Sequence, residues 1–243
     1  MTDPNQPLIT LILQAYDPLD IFQRLLNEVR WEKRPDAPRS EAYFNDFLDA
    51  DYTYGRGAGV RTYKPLDYVT SPTVWMIRQQ LERMSANEGW PCKYEACFLN
   101  RYDDERESLG WHADDSPEMD PARPIAVISF GGIREIGFRP KGSQKEVKRL
   151  ALTPGSLMFM HPGMQQSWEH RIPKAGYKAK PRISLTFRGY LRPTPAAKEP
   201  VDGPLPPTCP RPSSGDLPTS PPPACLRPRH ALRGVPHRSR VGS

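Results

Sequence analysis

The sequence predicts an α+β fold, mainly β: a double-stranded β-helix, or jelly roll, with supporting N-terminal helices. Three observations lead there. Apolar residues recur at helical spacing only before about residue 90. From about residue 93 short alternating or apolar runs follow one another, separated by turn signals. Residues 193–243 hold fourteen prolines and almost nothing that could form a core.

Taken in order, the first helix is announced by Asp17-Pro18, an N-cap residue with proline at the first helical position. Ile21, Phe22, Leu25, Leu26 and Val29 then form its apolar stripe. Ser71-Pro72 repeats the signal, with Val74, Ile77, Leu81 and Met84 as the second stripe. Both helices are expected to pack on the outside of a sheet. Strands follow in "KYEACFLNRY", "PIAVISFGG", "FRPK", "EVKRLAL", "GSLMFMHP" and "RISLTFRGY". Residues 1–192 are expected to form one domain, and 193–243 a disordered Pro/Arg-rich tail.

The formal charge of +6 is a property of that tail. From residue 191 onward there are eight basic residues against three acidic ones, which leaves +1 for residues 1–190. The high isoelectric point therefore says nothing about the folded part. Cys92 and Cys97, and Cys209 and Cys225, fit neither a zinc ribbon nor a disulfide framework. No apolar run reaches membrane-spanning length, and the N-terminus lacks a basic leader. The expectation is a cytoplasmic monomer with reduced thiols and no membrane contact.

His112 and Asp114 stand two apart in "GWHADDSPEMD". In extended chain such positions face the same way, so both can ligate one ion. His161 and His170 are the candidates for a third ligand. Two imidazoles and one carboxylate suit a non-haem iron(II) oxygenase, and a zinc hydrolase can use the same types. In "RISLTFR", Arg182, Ser184, Thr186 and Arg188 share one face, and Ile183, Leu185 and Phe187 the other. If the apolar face meets the helices, both arginines point into the barrel. That placement is costly unless anions pair with them, and two separated guanidinium groups suit a dicarboxylate. Tyr94, Ala96, Phe98, Asn100 and Tyr102 are likewise read as one face, presenting an amide and a phenol.

In this order, Asn100-x-Tyr102, His112-x-Asp114, His170 and Arg182 with Arg188 resemble the AlkB family of iron(II)/2-oxoglutarate dioxygenases. The resemblance runs from about Pro38-Arg39 to Gly189 and is nearest the nucleic-acid repair branch. It implies Fe(II) on His112, Asp114 and His170. It also implies 2-oxoglutarate on Asn100, Tyr102, Arg182, Ser184 and Arg188, with O2 as the second co-substrate. Arg182 would take the distal carboxylate and Arg188 the one near the metal. The implied activity couples 2-oxoglutarate decarboxylation to hydroxylation of an N-methyl group on a base in DNA or RNA, with release of formaldehyde. The alternative is the same chemistry on a protein or a small molecule. A substrate lid is expected over about residues 38–64. Tyr52, Tyr54, Trp111 and Asp115 are the expected substrate contacts, and Arg134 and Arg139 reach for phosphates. Two positions depart from the family pattern: Ser116 stands where a Glu is usual, and Ser184 where an Asn is usual. Glu118 and Asp120 read as a solvated loop.

Overall fold

The computed structural model describes residues 6–18, 20–35, 37–55 and 60–191, and the side chain of Tyr54 also lies outside the description. The predicted tail lies outside it from residue 192 onward. The described chain is built on two antiparallel sheets. One is six-stranded: β1 (Ile9–Ile12), β2 (Ser40–Asn45), β5 (Ala96–Tyr102), β7 (Ile125–Gly131), β10 (Leu157–Met160) and β12 (Arg182–Arg188). Its order is β1-β10-β7-β12-β5-β2. The other runs β6 (Leu109–His112), β11 (Trp168–Ile172), β8 (Arg134–Pro140) and β9 (Lys148–Leu152). A separate hairpin joins β3 (Tyr52–Tyr54) to β4 (Arg61–Tyr63).

The two predicted helices are α1 (Ile21–Glu28) and α2 (Pro72–Asn87). Their stripes pack on one face of the six-stranded sheet: Leu25, Val74, Ile77 and Leu81 join Leu99, Ile128, Ile183, Leu185 and Phe187 in one cluster. A second cluster lies between the sheets, where Val127, Met158 and Met160 meet Ile136, Phe138, Trp168 and Ile172. This is the jelly roll the sequence predicted. α2 begins as expected, with Ser71 Oγ accepting from the Val74 N–H at 3.4 Å. Glu28, at the end of α1, accepts from Ser71 Oγ and from the Thr73 hydroxyl and N–H, which ties the two helices together.

α1 does not start at Asp17-Pro18. The Tyr16 N–H is spent on the Gly155 carbonyl at 3.1 Å, which docks this stretch on the turn before β10. A Cβ on Gly155, whose φ is +76°, would lie 2.2 Å from the Tyr16 oxygen, so the close approach requires glycine there. The helix then begins after Asp20, which has a φ of 70° and no side-chain cap bond. Two further readings change. Tyr94 precedes β5 and belongs to the helix-side cluster, so the alternation that starts at Ala96 does not include it. The expected lid is divided: Ser40–Asn45 is a fully buried edge strand of the large sheet, and only the β3–β4 hairpin stands apart from it.

Leu81, completely buried on the sheet-facing side of α2, gives the first test. Leu81→Ala is expected to cost about 2–5 kcal/mol of stability in a denaturant titration.

Candidate metal centre and cofactor pocket

β6 and β11 bring two imidazoles together because His170 lies opposite His112 in the antiparallel register. One step further, Ile172 lies opposite Leu109, so β6 carries an extra residue between the two pairs. Such a bulge re-aims the side chains beside it. The ring centroids of His112 and His170 are 4.1 Å apart. Asp114 follows β6 as the chain leaves the sheet, and its backbone N–H donates to Gln165 Oε1 at 3.0 Å. His112 Nε2 stands 4.0 Å from Asp114 Oδ1, and His170 Nε2 stands 3.8 Å from Asp114 Oδ2. One ligand atom from each of the three residues falls within 4.8 Å of the others. His161 is not part of this group. Its ring meets Thr10 Oγ1 at 2.9 Å and packs edge-on against Trp90.

Protonation favours ligation. Burial lowers the His170 pKa to about 3, reinforced by His112 nearby. Burial also lowers His112. Burial pushes the Asp114 carboxyl up, but Arg188, His170 and His112 outweigh it and hold it at about 2. At neutral pH the cluster therefore offers two neutral imidazoles and a carboxylate. His112 Nδ1 lies 2.9 Å from the Gly110 carbonyl. A proton on Nδ1 donated to that oxygen leaves the Nε2 lone pair for a metal.

The arginines of β12 face as the alternation predicted. Arg182 is completely buried and Arg188 nearly so, on the face opposite Ile183, Leu185 and Phe187. Arg188 Nη2 donates to Asp114 Oδ1 at 2.7 Å. Arg182 Nη2 donates to Ser129 Oγ at 2.8 Å, while its Nε and Nη1, and the Tyr102 hydroxyl beside it, are buried and reach no good hydrogen-bond geometry with a partner among the described residues. Burial lowers the Arg182 pKa to about 10. In the sheet register Arg182 is opposite Tyr102, and Ser184 is opposite Asn100. The Asn100 amide oxygen accepts from Arg39 Nε, and Arg39 also pairs with Glu41 at 2.6 Å. Sequence reading missed Arg39 and Gln165, since neither belongs to a spacing pattern.

Buried donors aimed at no acceptor, beside a cluster of two imidazoles and a carboxylate, fit a carboxylate ligand and a divalent metal. The donor set suits Fe(II), and the guanidinium groups suit 2-oxoglutarate. A model of the 2OG-Fe(II) oxygenase superfamily matches residues 8–188. Human "DNA oxidative demethylase ALKBH2" is 30% identical over 190 residues, covering 71% of this chain and 68% of that protein.

The chain belongs to the AlkB family of 2OG-Fe(II) oxygenases.

Mouse "Alpha-ketoglutarate-dependent dioxygenase alkB homolog 3" is 29% identical over 184 residues, covering 69% of this AlkB-family chain. The chain spans 60% of that relative's length. The solved structure described as "The structure of OsALKBH1" superposes with a TM-score of 0.53 at 15% identity, over 76% of this chain and 98% of that one, and so supports the fold.

A cleft of about 620 Å³ opens over His112 in this AlkB-family site. Thr53 and Gly55 of the hairpin border it, as do Asp115, Ser116 and Lys141. Asp115 is exposed and pairs with Lys141 at 2.6 Å. Tyr52 is 2% exposed, packed among Tyr43, Tyr63 and Phe98, with its hydroxyl 3.2 Å from Ser116 Oγ. Trp111 borders the cleft with its ring between the guanidinium groups of Arg139 and Arg171, at 4.4 and 4.5 Å. Arg134 is not placed to reach a phosphate: it is 1% exposed, on the inward face of β8. Asp120 is not a solvated residue either, since it pairs with Arg123 at 2.8 Å, and Arg123 pairs with Glu95 at 2.9 Å. Glu118 Oε2 is also buried. Among the described residues no helix is long and apolar enough to cross a membrane.

Mn(II) added to the chain is expected to raise its Tm, by about 2.7 kcal/mol of stabilisation at a hundredfold excess over Kd. The rise is expected to vanish in Asp114→Asn and His170→Ala and to persist in His161→Ala, as differential scanning fluorimetry can show.

Proposed function

We propose that this chain is an oxidative demethylase of N-alkylated bases in nucleic acid. The observation that carries the reading is one juxtaposition. The metal cluster and two inward guanidinium groups lie under a cleft large enough for a base, bordered by the hairpin. The relatives named for DNA oxidative demethylation support the same assignment. His112, Asp114 and His170 hold the metal. Arg182, with Tyr102 and Ser184, takes the distal carboxylate of 2-oxoglutarate. Arg188, with Asn100, takes the carboxylate near the metal.

When bound, Fe(II) supplies O2 activation, coupling oxidative decarboxylation of 2-oxoglutarate to succinate and CO2 with hydroxylation of the substrate N-methyl group. The hydroxymethyl amine then breaks its N–C bond, releasing formaldehyde and the unmodified base. The chain's own part is positioning. Arg182 and Arg188 fix the two ends of the co-substrate, so its keto acid end faces the metal side of the pocket. Burial around His170 and Asp114 keeps bulk water from the reacting centre. A base inside a duplex cannot reach His112, so it must be flipped out or come from a single strand. Tyr52, Trp111 and Asp115 are assigned to the substrate side. Tyr54 keeps that assignment from the sequence only.

The test supplies Fe(II), 2-oxoglutarate and oligonucleotides carrying N1-methyladenine or N3-methylcytosine, single- and double-stranded. Formaldehyde and unmodified base are expected in equal amounts. Decarboxylation of 2-oxoglutarate without repair of any oligonucleotide would overturn the substrate assignment and leave a protein or small-molecule substrate. Arg182→Met is expected to raise the KM for 2-oxoglutarate at least about tenfold, the loss of a charge-assisted bidentate contact.

A further inference from the structure

Arg134 was read from the sequence as a surface arginine, and the structure encloses it. It begins β8, whose inward face continues through Ile136 and Phe138. Its guanidinium donates to three main-chain carbonyls: Asp104 at 3.2 Å, Glu107 at 2.7 Å and Pro173 at 2.5 Å. Among the described residues it forms no ion pair with a carboxylate, and neither does Arg182. Both guanidinium groups lie beside the same ring, that of Tyr102, with their central carbons 5.3 and 5.4 Å from its centroid.

Carbonyl oxygens satisfy the N–H groups of Arg134 but leave its charge uncompensated. Two such charges in one buried region repel each other and are costly to desolvate. The cost falls when an anion enters, and the polar atoms around Tyr102 show where: among the described residues its hydroxyl and the Nε and Nη1 of Arg182 are buried with no well-formed hydrogen bond. The three carbonyl bonds also tie the loop between β5 and β6 to the segment after β11. Arg134 and Tyr102 are each 1% exposed, and charge interactions are stronger in such a buried setting than in water.

We infer that Arg134 is a positioning residue for the co-substrate: without touching it, its buried charge selects 2-oxo acids that carry a second carboxylate. Two guanidinium groups then favour the distal carboxylate, Arg182 by contact and Arg134 through Tyr102 and the low-dielectric surroundings. This rests on the cofactor assignment above and is independent of the nucleic-acid substrate.

The test uses the full chain loaded with Mn(II) and two ligands, 2-oxoglutarate and 2-oxovalerate, whose distal carboxylate is replaced by methyl. Calorimetry gives both affinities. Arg134→Met is expected to weaken 2-oxoglutarate about tenfold, as befits one charge acting at this range in a buried site. It is expected to leave 2-oxovalerate and Mn(II) affinity at wild-type values. Arg134→Lys, which retains the charge, is expected to keep the wild-type ratio of the two affinities. Equal weakening of both acids would reduce Arg134 to a structural staple and overturn the inference, as would no weakening of either. Should Arg134→Met not fold, Arg134→Gln, which keeps donors for the carbonyls without the charge, decides instead: selective weakening of 2-oxoglutarate supports the inference, and an unchanged ratio of the two affinities overturns it. A wild-type chain that binds neither acid would instead sink the cofactor assignment itself.

Discussion

β12 is bonded on both edges and buried on both faces, and the site follows from that constraint. Its neighbours are β5 and β7, and all seven of its residues are buried. Side chains alternate across a strand, so one face must go to the helices and the other to the interior of the roll. Ile183, Leu185 and Phe187 take the helix side. Arg182, Ser184 and Arg188 have only the interior left. A slip of one residue would drive two guanidinium groups into the cluster around Leu25 and Leu81, so the hydrophobic pattern that fixes the register also fixes the arginines. Buried guanidinium groups at such positions are costly unless an anion pairs with them.

The metal cluster is assembled from the other sheet and then braced against this strand. β6 is a four-residue edge strand, paired with β11 across a bulge. Asp114 is beyond its end and takes its place from two bonds, the Gln165 amide oxygen on its N–H and Arg188 on its carboxylate. The ligand set is thus a joint between the sheets: β11 and β6 supply the imidazoles, and β12 holds the carboxylate ionised.

Much of this was legible in the sequence because periodicity is a statement about faces. The β12 alternation, the i, i+2 spacing of His112 and Asp114, and the apolar stripes of both helices all encode which side chains point together. What a face meets is set by pairing, which periodicity does not contain. Spacing alone offered both His161 and His170, the family resemblance named His170, and the register shows it opposite His112. Arg134 looked like a surface arginine because one cation in a half-polar strand carries no sign of direction. β1 went unread because four residues, Ile9–Ile12, are too few to show a period. The Asp17-Pro18 signal failed because the Tyr16 N–H went to Gly155, a contact remote in sequence.

The hairpin shows how one residue can have a structural part whatever else it does. Tyr52 and Tyr54 were expected to contact the substrate, and the Tyr54 side chain lies outside the description. Tyr52 and Tyr63 also pack with Tyr43 and Phe98, at centroid distances of 4.9 to 6.4 Å, and root the hairpin on the edge of the large sheet. An element tied down through its aromatic face turns the intervening residues toward the cleft, and Thr53 borders it. Thr53 and Gly55 border the cleft from the hairpin, and His112 lines it as well. The Tyr52 hydroxyl reaches the chain beside Asp115 through Ser116. Ser116 is a neutral partner there, and the charged contact at the root comes from Tyr63, whose hydroxyl donates to the buried Glu41 carboxylate at 2.7 Å. The acidity of the cleft is left to Asp115 and Glu169, each already matched by a cation, Lys141 and Arg139.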